Sequence, residues 1–365
     1  MSGILVHEWL SPTGGSENVF EQLVRIFPGA ERWCLWNASE GRFADVNETW
    51  LARTPLRGRK AAAVPLMPLV WRTMPRREAE WILTSSHAFA HQVRFGGAAS
   101  DAPKLVYAHT PARYVWAPEA DSRGQGVVAR TASALLRPVD RRRAGEAHAI
   151  AANSKYVADR IARTWEREAT VIYPPVDTAR FGPEPALTEE ESQLLDELPD
   201  SFVLGASRFV PYKRLEDAIR AGSVVDVPVV IAGGGPDEER LRAVAAEARV
   251  PVTFMIDPSH ELLSALYRRA TVLVFSPVED FGIMPVEAMA AGTPVIVNVR
   301  GGAAESVVDG RTGAHVEGWQ DAELAAAVTR AAASSAAACR ARADEFSTRI
   351  FHREVDAWVR SAVKG

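Results

Sequence analysis

Two glutamates, Glu279 and Glu287, bracket Asp280-Phe281-Gly282-Ile283-Met284-Pro285-Val286. A carboxylate pair can move protons or accept hydrogen bonds from hydroxyl groups. Ahead of the pair runs Val272-Leu273-Val274-Phe275, an apolar stretch that reads as a strand buried on both faces. Behind it, Pro285 suits the first residue of a helix and Gly292 the residue just past its end. Glu279 is then expected on the loop at the carboxyl end of the strand, and Glu287 in the first helical turn. Between them, the amides of Phe281, Gly282 and Ile283 precede any helical acceptor, and Gly282 lets a ligand approach the backbone. Two carboxylates and free amides at a strand end suit a ligand rich in hydroxyls. A helix start also favours acids through its dipole alone, so the residues around the pair decide its meaning.

Those residues are cationic and glycine-rich. Arg208 and Lys213 leave an expected strand over 202–207, where fixed cations suit a diphosphate. Gly14-Gly15 lies between strand 4–6 and helix 16–27, an arrangement that offers backbone amides to phosphate. Gly233-Gly234-Gly235 and Gly301-Gly302 follow two further strands. His87 and His109 end strands in the first half, beside the loop residues Trp9 and Arg113. No His/Cys/Asp/Glu set has metal-ligand spacing, and no G-x-S-x-G elbow occurs.

At 365 residues the chain calls for two domains. An apolar share of 47% with 24% charged residues is that of a globular protein, and a net charge of -4 argues against nucleic acid as partner. Residues 1–180 carry +6 and residues 181–365 carry -10, which places a division near 180. Expected strands at 4–6, 33–36, 81–83, 104–107, 149–152 and 170–173 alternate with helices. The second half repeats the pattern at 202–207, 229–232, 252–256, 272–275 and 294–297. Such alternation predicts the α/β class with parallel sheets. Asn153-Ser154 and Asp257-Pro258 read as helix starts, 181–200 as a linker with a short acidic helix, and 345–363 as a terminal helix. Cys34 and Cys339 are too few for a disulfide framework and suit a reducing compartment. The chain enters its first strand at once, so no leader is expected, and no apolar run approaches the ~18 residues of a membrane span. Seven cations from Arg53 to Arg77 bracket the apolar run 61–71, broken by Pro65 and Pro68. A packed segment with solvated cations is favoured there, with a weak membrane-surface contact through 53–77 as the alternative.

Taken together, these motifs resemble the family 4 retaining glycosyltransferases, whose fold is termed GT-B. The match rests on E-x7-E at Glu279 and Glu287, the Gly14-Gly15 loop, Asn153-Ser154, Tyr173-Pro174-Pro175-Val176-Asp177, the Arg208/Lys213 pair and Gly301-Gly302 with Glu305. The resemblance implies two Rossmann-like doubly wound domains facing a cleft: 1–180 on the acceptor side, 181–345 on the nucleotide-sugar side, and 346–365 as a helix crossing back. It implies Arg208 and Lys213 on the donor diphosphate, Glu279 with Phe281, Gly282 and Ile283 on the sugar, and Glu287 on the ribose. Gly14 and Gly15 would line the diphosphate, Gly234 would be a loop element of the donor site, and His109 would sit near the reacting carbon. Trp9, His87 and Arg113 would face the acceptor. The wording around Ser85-Ser86-His87, Tyr107-Ala108-His109-Thr110-Pro111 and Glu279-Asp280-Phe281-Gly282 resembles bacterial GDP-mannose-dependent mannosyltransferases. The reaction so implied is hexose transfer with retention onto a glycan, lipid-linked glycan or small metabolite, without metal or cofactor, in the cytoplasm or at the inner membrane surface. A UDP-sugar transferase, a nucleotide-sugar 2-epimerase of the same fold and a non-catalytic nucleotide-sugar-binding scaffold are the alternatives.

Overall fold

The computed structural model describes residues 2–116, 127–182 and 184–364. It divides into two compact units, Met1–Pro175 with Arg349–Gly365, and Val176–Thr348.

The first unit is built on β1 (Gly3–His7), β2 (Glu31–Cys34), β3 (Val46–Glu48), β4 (Trp81–Ser86), β5 (Lys104–Ala108), β6 (Ala149–Ala152) and β7 (Thr170–Val171). Among the described residues they form one sheet in the order β3-β2-β1-β4-β5-β6-β7, and every pairing is parallel. The second unit has β8 (Val203–Ala206), β9 (Val229–Gly233), β10 (Val252–Ile256), β11 (Val272–Phe275), β12 (Val295–Asn298) and β13 (Gly313–Val316), also parallel, in the order β10-β9-β8-β11-β12-β13. The central strands are apolar because helices cover both faces. Two strands escape the sequence reading. β3 is Val-Asn-Glu and half-buried at a sheet edge, and β13 is Gly-Ala-His-Val, so neither offers an apolar run.

Helix Gly15–Ile26 buries Val19, Phe20 and Leu23, which recur on one face. Ser154 caps helix Lys155–Trp165 by accepting from the Val157 amide. Two helix starts differ from expectation. The helix after β11 spans Ile283–Ala291, with Gly282 as its cap at φ 88°. Pro285 is therefore its third residue, tolerated because amides of the first turn have no helical acceptor, and Glu287 stands two residues deeper than expected, in the second turn. Asp257-Pro258 does not begin a helix. Ser259 caps His260–Arg269 through the Leu262 amide, while Asp257 adopts φ 45° and donates its N–H to the Gly233 carbonyl. At the far end of Ile283–Ala291, Gly292 is left-handed at φ 104° and the Arg340 guanidinium donates to the Ala291 carbonyl at 3.2 Å.

Segment 53–77 folds into two short helices, Lys60–Ala63 and Met67–Arg72. Ala63, Met67, Val70, Trp71 and Met74 pack into a core with Trp36, Leu51 and Phe95. Its apolar side faces inward apart from Leu69, which is 54% exposed. No described helix is long and apolar enough to cross a membrane. Arg113, which the resemblance places on the acceptor side, is described, but residues 117–126 after it lie outside the described residues.

The chain passes into the second unit at 176, five residues before the division near 180, and returns at 349, three residues after the boundary that the resemblance implied. The Val176 amide donates to the Phe346 carbonyl and the Thr348 amide to the Val176 carbonyl, tying 176–180 into the second unit. From helix Thr348–Lys364, Phe351, Val355 and Val359 pack with Leu5, Phe20, Tyr107 and Ile172 of the first unit.

One buried carboxylate organises the outer half of the first sheet. Asp140 accepts from the indole N–H groups of Trp116 and Trp165, each at 2.8 Å, and from the Gln92 side-chain amide at 2.8 Å. His91 Nε2 lies 3.1 Å away. Burial alone would raise the Asp140 pKa, but the His91 charge and these bonds outweigh it and hold it below the ordinary carboxylate value. The ionised group therefore contributes stability above the unfolded carboxylate pKa, lost as pH falls through the lower folded value. Asp140→Ala strands three buried donors and is expected to cost about 3–5 kcal/mol in urea denaturation. A loss below about 1 kcal/mol would show that the donors find other acceptors.

Candidate functional site

A parallel sheet reverses its strand order where chain connections leave two adjacent strands on opposite sides, and ligands bind beyond the carboxyl ends at that switch point. In the second unit the switch lies between β8 and β11. Lys213 follows β8 on the short turn Pro211–Lys213, and Glu279 follows β11. Lys213 Nζ and Glu279 Oε1 meet at 2.7 Å, with side chains only 12% and 18% exposed. The ammonium also lies 5.3 Å from the Tyr212 ring centroid and 5.6 Å from that of Phe275. The sequence reading gave Lys213 to a phosphate and Glu279 to a sugar; the structure also joins them to each other, because two opposite charges so enclosed neutralise one another. Arg208 is exposed and donates to the Tyr212 hydroxyl at 3.2 Å.

The loop carrying Glu279 is fixed by the glycine turn beside β12. The Gly302 amide donates to the Glu279 carbonyl at 2.8 Å, and a Cβ on Gly302 would lie 2.0 Å from the Asp280 carbonyl oxygen. Only glycine permits that approach. Gly282 and Ile283 donate to no protein acceptor among the described residues. Phe281 turns its side chain inward against Phe346, with ring centroids 5.6 Å apart. At Gly234 the Cβ position is filled by Asp257, whose Oδ1 would be 2.2 Å away, so that glycine makes room for a carboxylate on its Cβ side.

Glu287 lies on the helix that Gly282 opens. Its carboxyl is pushed up to about 7, because burial disfavours the charge more than the Tyr267 hydroxyl and the Arg180 charge favour it. Burial also raises the Tyr267 hydroxyl, with Glu287 adding to the effect.

In the first unit the switch lies between β1 and β4. His7 ends β1, and Ser85 sits opposite it on β4. Gly14 caps helix Gly15–Ile26, and the Glu17 carboxylate folds back over it, so a Cβ on Gly14 would lie 2.1 Å from Glu17 Oε2. Ser16 Oγ holds that carboxylate at 2.8 Å. Trp9 and His87 come together, with centroids 4.7 Å apart and rings edge to face; Trp9 also stacks on Trp36 at 5.7 Å and lies under Lys60 Nζ at 4.8 Å. Burial lowers the His87 imidazole to about 3, with the nearby His109 and Lys60 charges adding to it. His109 Nε2 lies 2.8 Å from Ser85 Oγ. Arg113 opens the short helix Arg113–Trp116.

Sequence reasoning missed Glu8 and Glu17. Glu8 Oε1 accepts from the amides of Ala88 and Ala90 at 2.9 and 2.7 Å and from Ser86 Oγ at 3.2 Å, which ties the end of β1 to the loop after β4. A charged residue directly beyond an apolar strand is its only sequence signal. Among the described residues, no three His, Cys, Asp or Glu side chains are grouped to hold a metal ion.

Two doubly wound units, each with polar side chains and helix amides at its switch point, define a protein of the doubly wound α/β class. A model described as "Glycosyltransferase Family 4" matches residues 13–180, and one described as "Glycosyl transferases group 1" matches 188–346. The chain belongs to this family 4 of glycosyltransferases. A GDP-mannose-dependent alpha-(1-6)-phosphatidylinositol monomannoside mannosyltransferase of Mycolicibacterium smegmatis is 34% identical over 204 residues, 50% of this chain and 53% of that protein. A D-inositol 3-phosphate glycosyltransferase of Mycolicibacterium vanbaalenii is 34% identical over 206 residues, 51% and 46% of the two chains. The chain thus spans about half the length of the curated relatives it matches. Anabaena HepE, crystallised with UDP, superposes with a TM-score of 0.72 at 18% identity, covering 99% of this chain and 100% of that one. Sucrose-phosphate synthase of Thermosynechococcus elongatus gives 0.72 at 19% identity, covering 99% of both. The fold is the GT-B fold.

A carboxyl raised in the folded state contributes stability below its unfolded pKa, and that contribution is lost as pH rises through the folded value. Unfolding midpoints in urea are therefore expected to fall from pH 4.5 to 7 by an amount that Glu287→Gln removes. An unchanged pH slope in the variant would place the Glu287 carboxylate in a solvated setting.

Proposed function

We propose that this chain transfers a hexose from a nucleotide diphosphate sugar to an acceptor hydroxyl, with retention at the anomeric carbon. The observation that carries the reading is the enclosed Lys213–Glu279 pair at the second switch point, beside the amides of Gly282 and Ile283. Lys213 and Arg208 bind the donor diphosphate and stabilise the charge it gains as the glycosidic bond breaks. Glu279 then exchanges its ion pair for hydrogen bonds with sugar hydroxyls, joined by the amides of Phe281, Gly282 and Ile283. Glu287 accepts from the ribose hydroxyls. Gly14 and Gly15 lie along the diphosphate, as does the Gly234 loop, and His109 sits near the reacting carbon. Trp9, His87 and Arg113 serve the acceptor. The leaving phosphate oxygen takes the acceptor proton, so neither glutamate is a nucleophile. No metal takes part, and chelators are expected to leave the rate unchanged.

Mannose from GDP-mannose is the first candidate donor, supported by the name of the M. smegmatis relative. The UDP bound to Anabaena HepE makes UDP-sugars the competing choice. Acceptors with a lipid anchor would bring segment 53–77 against a membrane surface, a role testable by binding to anionic vesicles at low salt.

A thermal-shift panel of GDP, UDP, ADP and TDP sugars is expected to give one clearly preferred donor, since a ligand that binds only the folded state stabilises it. Equal, negligible shifts for all four would remove the transferase reading. With that donor, Lys213→Ala should lower turnover by about 10²–10³-fold, the range for losing one preorganised charge or donor at the transition state. Retained turnover would take Lys213 out of the diphosphate site. Nucleotide affinity should also weaken as pH falls below the Glu287 value of about 7, since the protonated acid loses an acceptor oxygen. A flat profile from pH 8 to 6 would contradict the ribose contact.

A further inference from the structure

The loop after β1 builds a fixed aromatic face beside the first switch point. The Leu35 amide donates to the Glu8 carbonyl at 2.7 Å and the Leu10 amide to the Trp36 carbonyl at 3.1 Å, so residues 8–10 carry the β1–β2 pairing past the strand ends. That register sets Trp9 against Trp36, with ring planes 11° apart and centroids at 5.7 Å. Trp36 is buried and Trp9 half-buried, so Trp36 backs the indole from the core side. His87 closes one edge of Trp9 at 4.7 Å, and the Ala88 and Ala90 amides, which donate to Glu8, hold the loop that carries it. Burial lowers the His87 imidazole to about 3, so this wall is uncharged at neutral pH.

On this face lies an ammonium group. Lys60 opens the short helix Lys60–Ala63, is exposed, and sets its Nζ 4.8 Å from the Trp9 ring centroid. Among the described residues Lys60 has no ion pair, whereas Arg57, three residues earlier, is paired with Glu48 at 2.9 Å. A cation at a helix start meets free amides of like partial charge, so local stability gives no reason for it. A cation–π contact at an exposed site is weak, and a ligand that covers the indole can displace it. The C–H groups on one face of a pyranose suit the negative face of an indole. An ammonium moved to the rim of that ring then needs an anion, and a lysine serves phosphate as a point charge.

We propose that Trp9 and Lys60 form a subsite for a phosphorylated sugar as acceptor, with the pyranose stacked on Trp9 in place of the ammonium and the phosphate paired with Lys60. The acceptor role rests on the function proposed above; the binding face rests on Trp9, Trp36 and Lys60 alone. An uncharged sugar displaces the ammonium without giving it a partner, so the same two residues that favour a sugar phosphate disfavour its neutral counterpart.

The test is fluorine NMR of the full chain labelled with 5-fluorotryptophan, with Trp9 assigned as the resonance missing from Trp9→Phe. Glucose 6-phosphate is the free sugar phosphate, and its octyl phosphodiester stands for a lipid headgroup. Methyl glucoside and inorganic phosphate each carry half of the recognition. At least one ester is expected to shift the Trp9 resonance saturably, about tenfold or more tighter than methyl glucoside or inorganic phosphate, as one charge-assisted contact allows. The tighter ester identifies the source, free or lipid-linked. Lys60→Met, a change at an exposed position, should weaken that binding about tenfold, and Lys60→Arg should keep most of it. No saturable shift with either ester, or an affinity that Lys60→Met leaves unchanged, overturns the subsite. A Trp9 shift with GDP as large and as dependent on Lys60 gives the face to the donor and overturns it as well.

The kinetic arm uses GDP-mannose and UDP-glucose as donors and follows transfer to the tighter ester. Lys60→Met should raise KM for that ester about tenfold, with the effect in KM rather than kcat because the phosphate lies away from the reacting hydroxyl. Binding at Trp9 without transfer from either donor overturns the acceptor role and leaves the phosphate subsite standing. The nucleotide-sugar thermal-shift panel tests the transferase reading separately, and the Trp9 spectrum decides the subsite whatever that panel gives.

Discussion

The structure depends on a constraint of parallel sheets. Where strand order reverses, the connections from two adjacent strands depart to opposite faces, and the space beyond their carboxyl ends is left open. The chain meets this situation twice, between β1 and β4 and between β8 and β11. Each time it fills the space with groups that could not be buried elsewhere without cost: His7, Glu8 and Ser85 in the first unit, Lys213 and Glu279 in the second. The core strands have no freedom to carry such groups, since helices cover both their faces with apolar contacts.

Polar groups so placed need partners, and the partners fix the loops. Glu8, at the end of β1, gathers the Ser86 hydroxyl from the end of β4 and two amides from the segment after it, so that loop is held by the residue that follows β1. Asp140 gathers two indoles and an amide and does the same for the outer helices. In the second unit the Glu279 loop is clasped by Gly302, and the helix after it is held at its far end by Arg340. The helix is short and mostly buried, so its start, where Gly282 and Ile283 present their amides, has little freedom to drift. Ordered amides and an enclosed ion pair are what a site needs to meet developing charge without reorganising.

Much of this was legible in the sequence. Alternating apolar runs and helix caps gave both sheets, and the E-x7-E spacing located the second switch point. The parts that were not legible share a cause: they depend on which side chains meet. The edge strand β3 lacks an apolar run because it is only half-buried, and β13, though mostly buried, is Gly-Ala-His-Val, whose small and polar residues break the run. Pro285 was read as a first helical residue although Gly282, with its positive φ, is the true start. Gly14 was read as an opening toward phosphate and Gly234 as a loop element of the donor site. Both also make room for a carboxylate, Glu17 and Asp257, contributed by positions three and twenty-three residues away in the chain. The pairing of Lys213 with Glu279 joins residues sixty-six positions apart, so no local pattern encodes it.

In the proposed function, the β8–β11 switch point binds the sugar end of a nucleotide sugar through Glu279. Calorimetric titration of the preferred nucleotide sugar and of its nucleoside diphosphate into wild type and Glu279→Gln tests it most directly. The variant is expected to lose affinity for the nucleotide sugar and to keep that for the diphosphate. Equal losses for both ligands, or none for either, would contradict it.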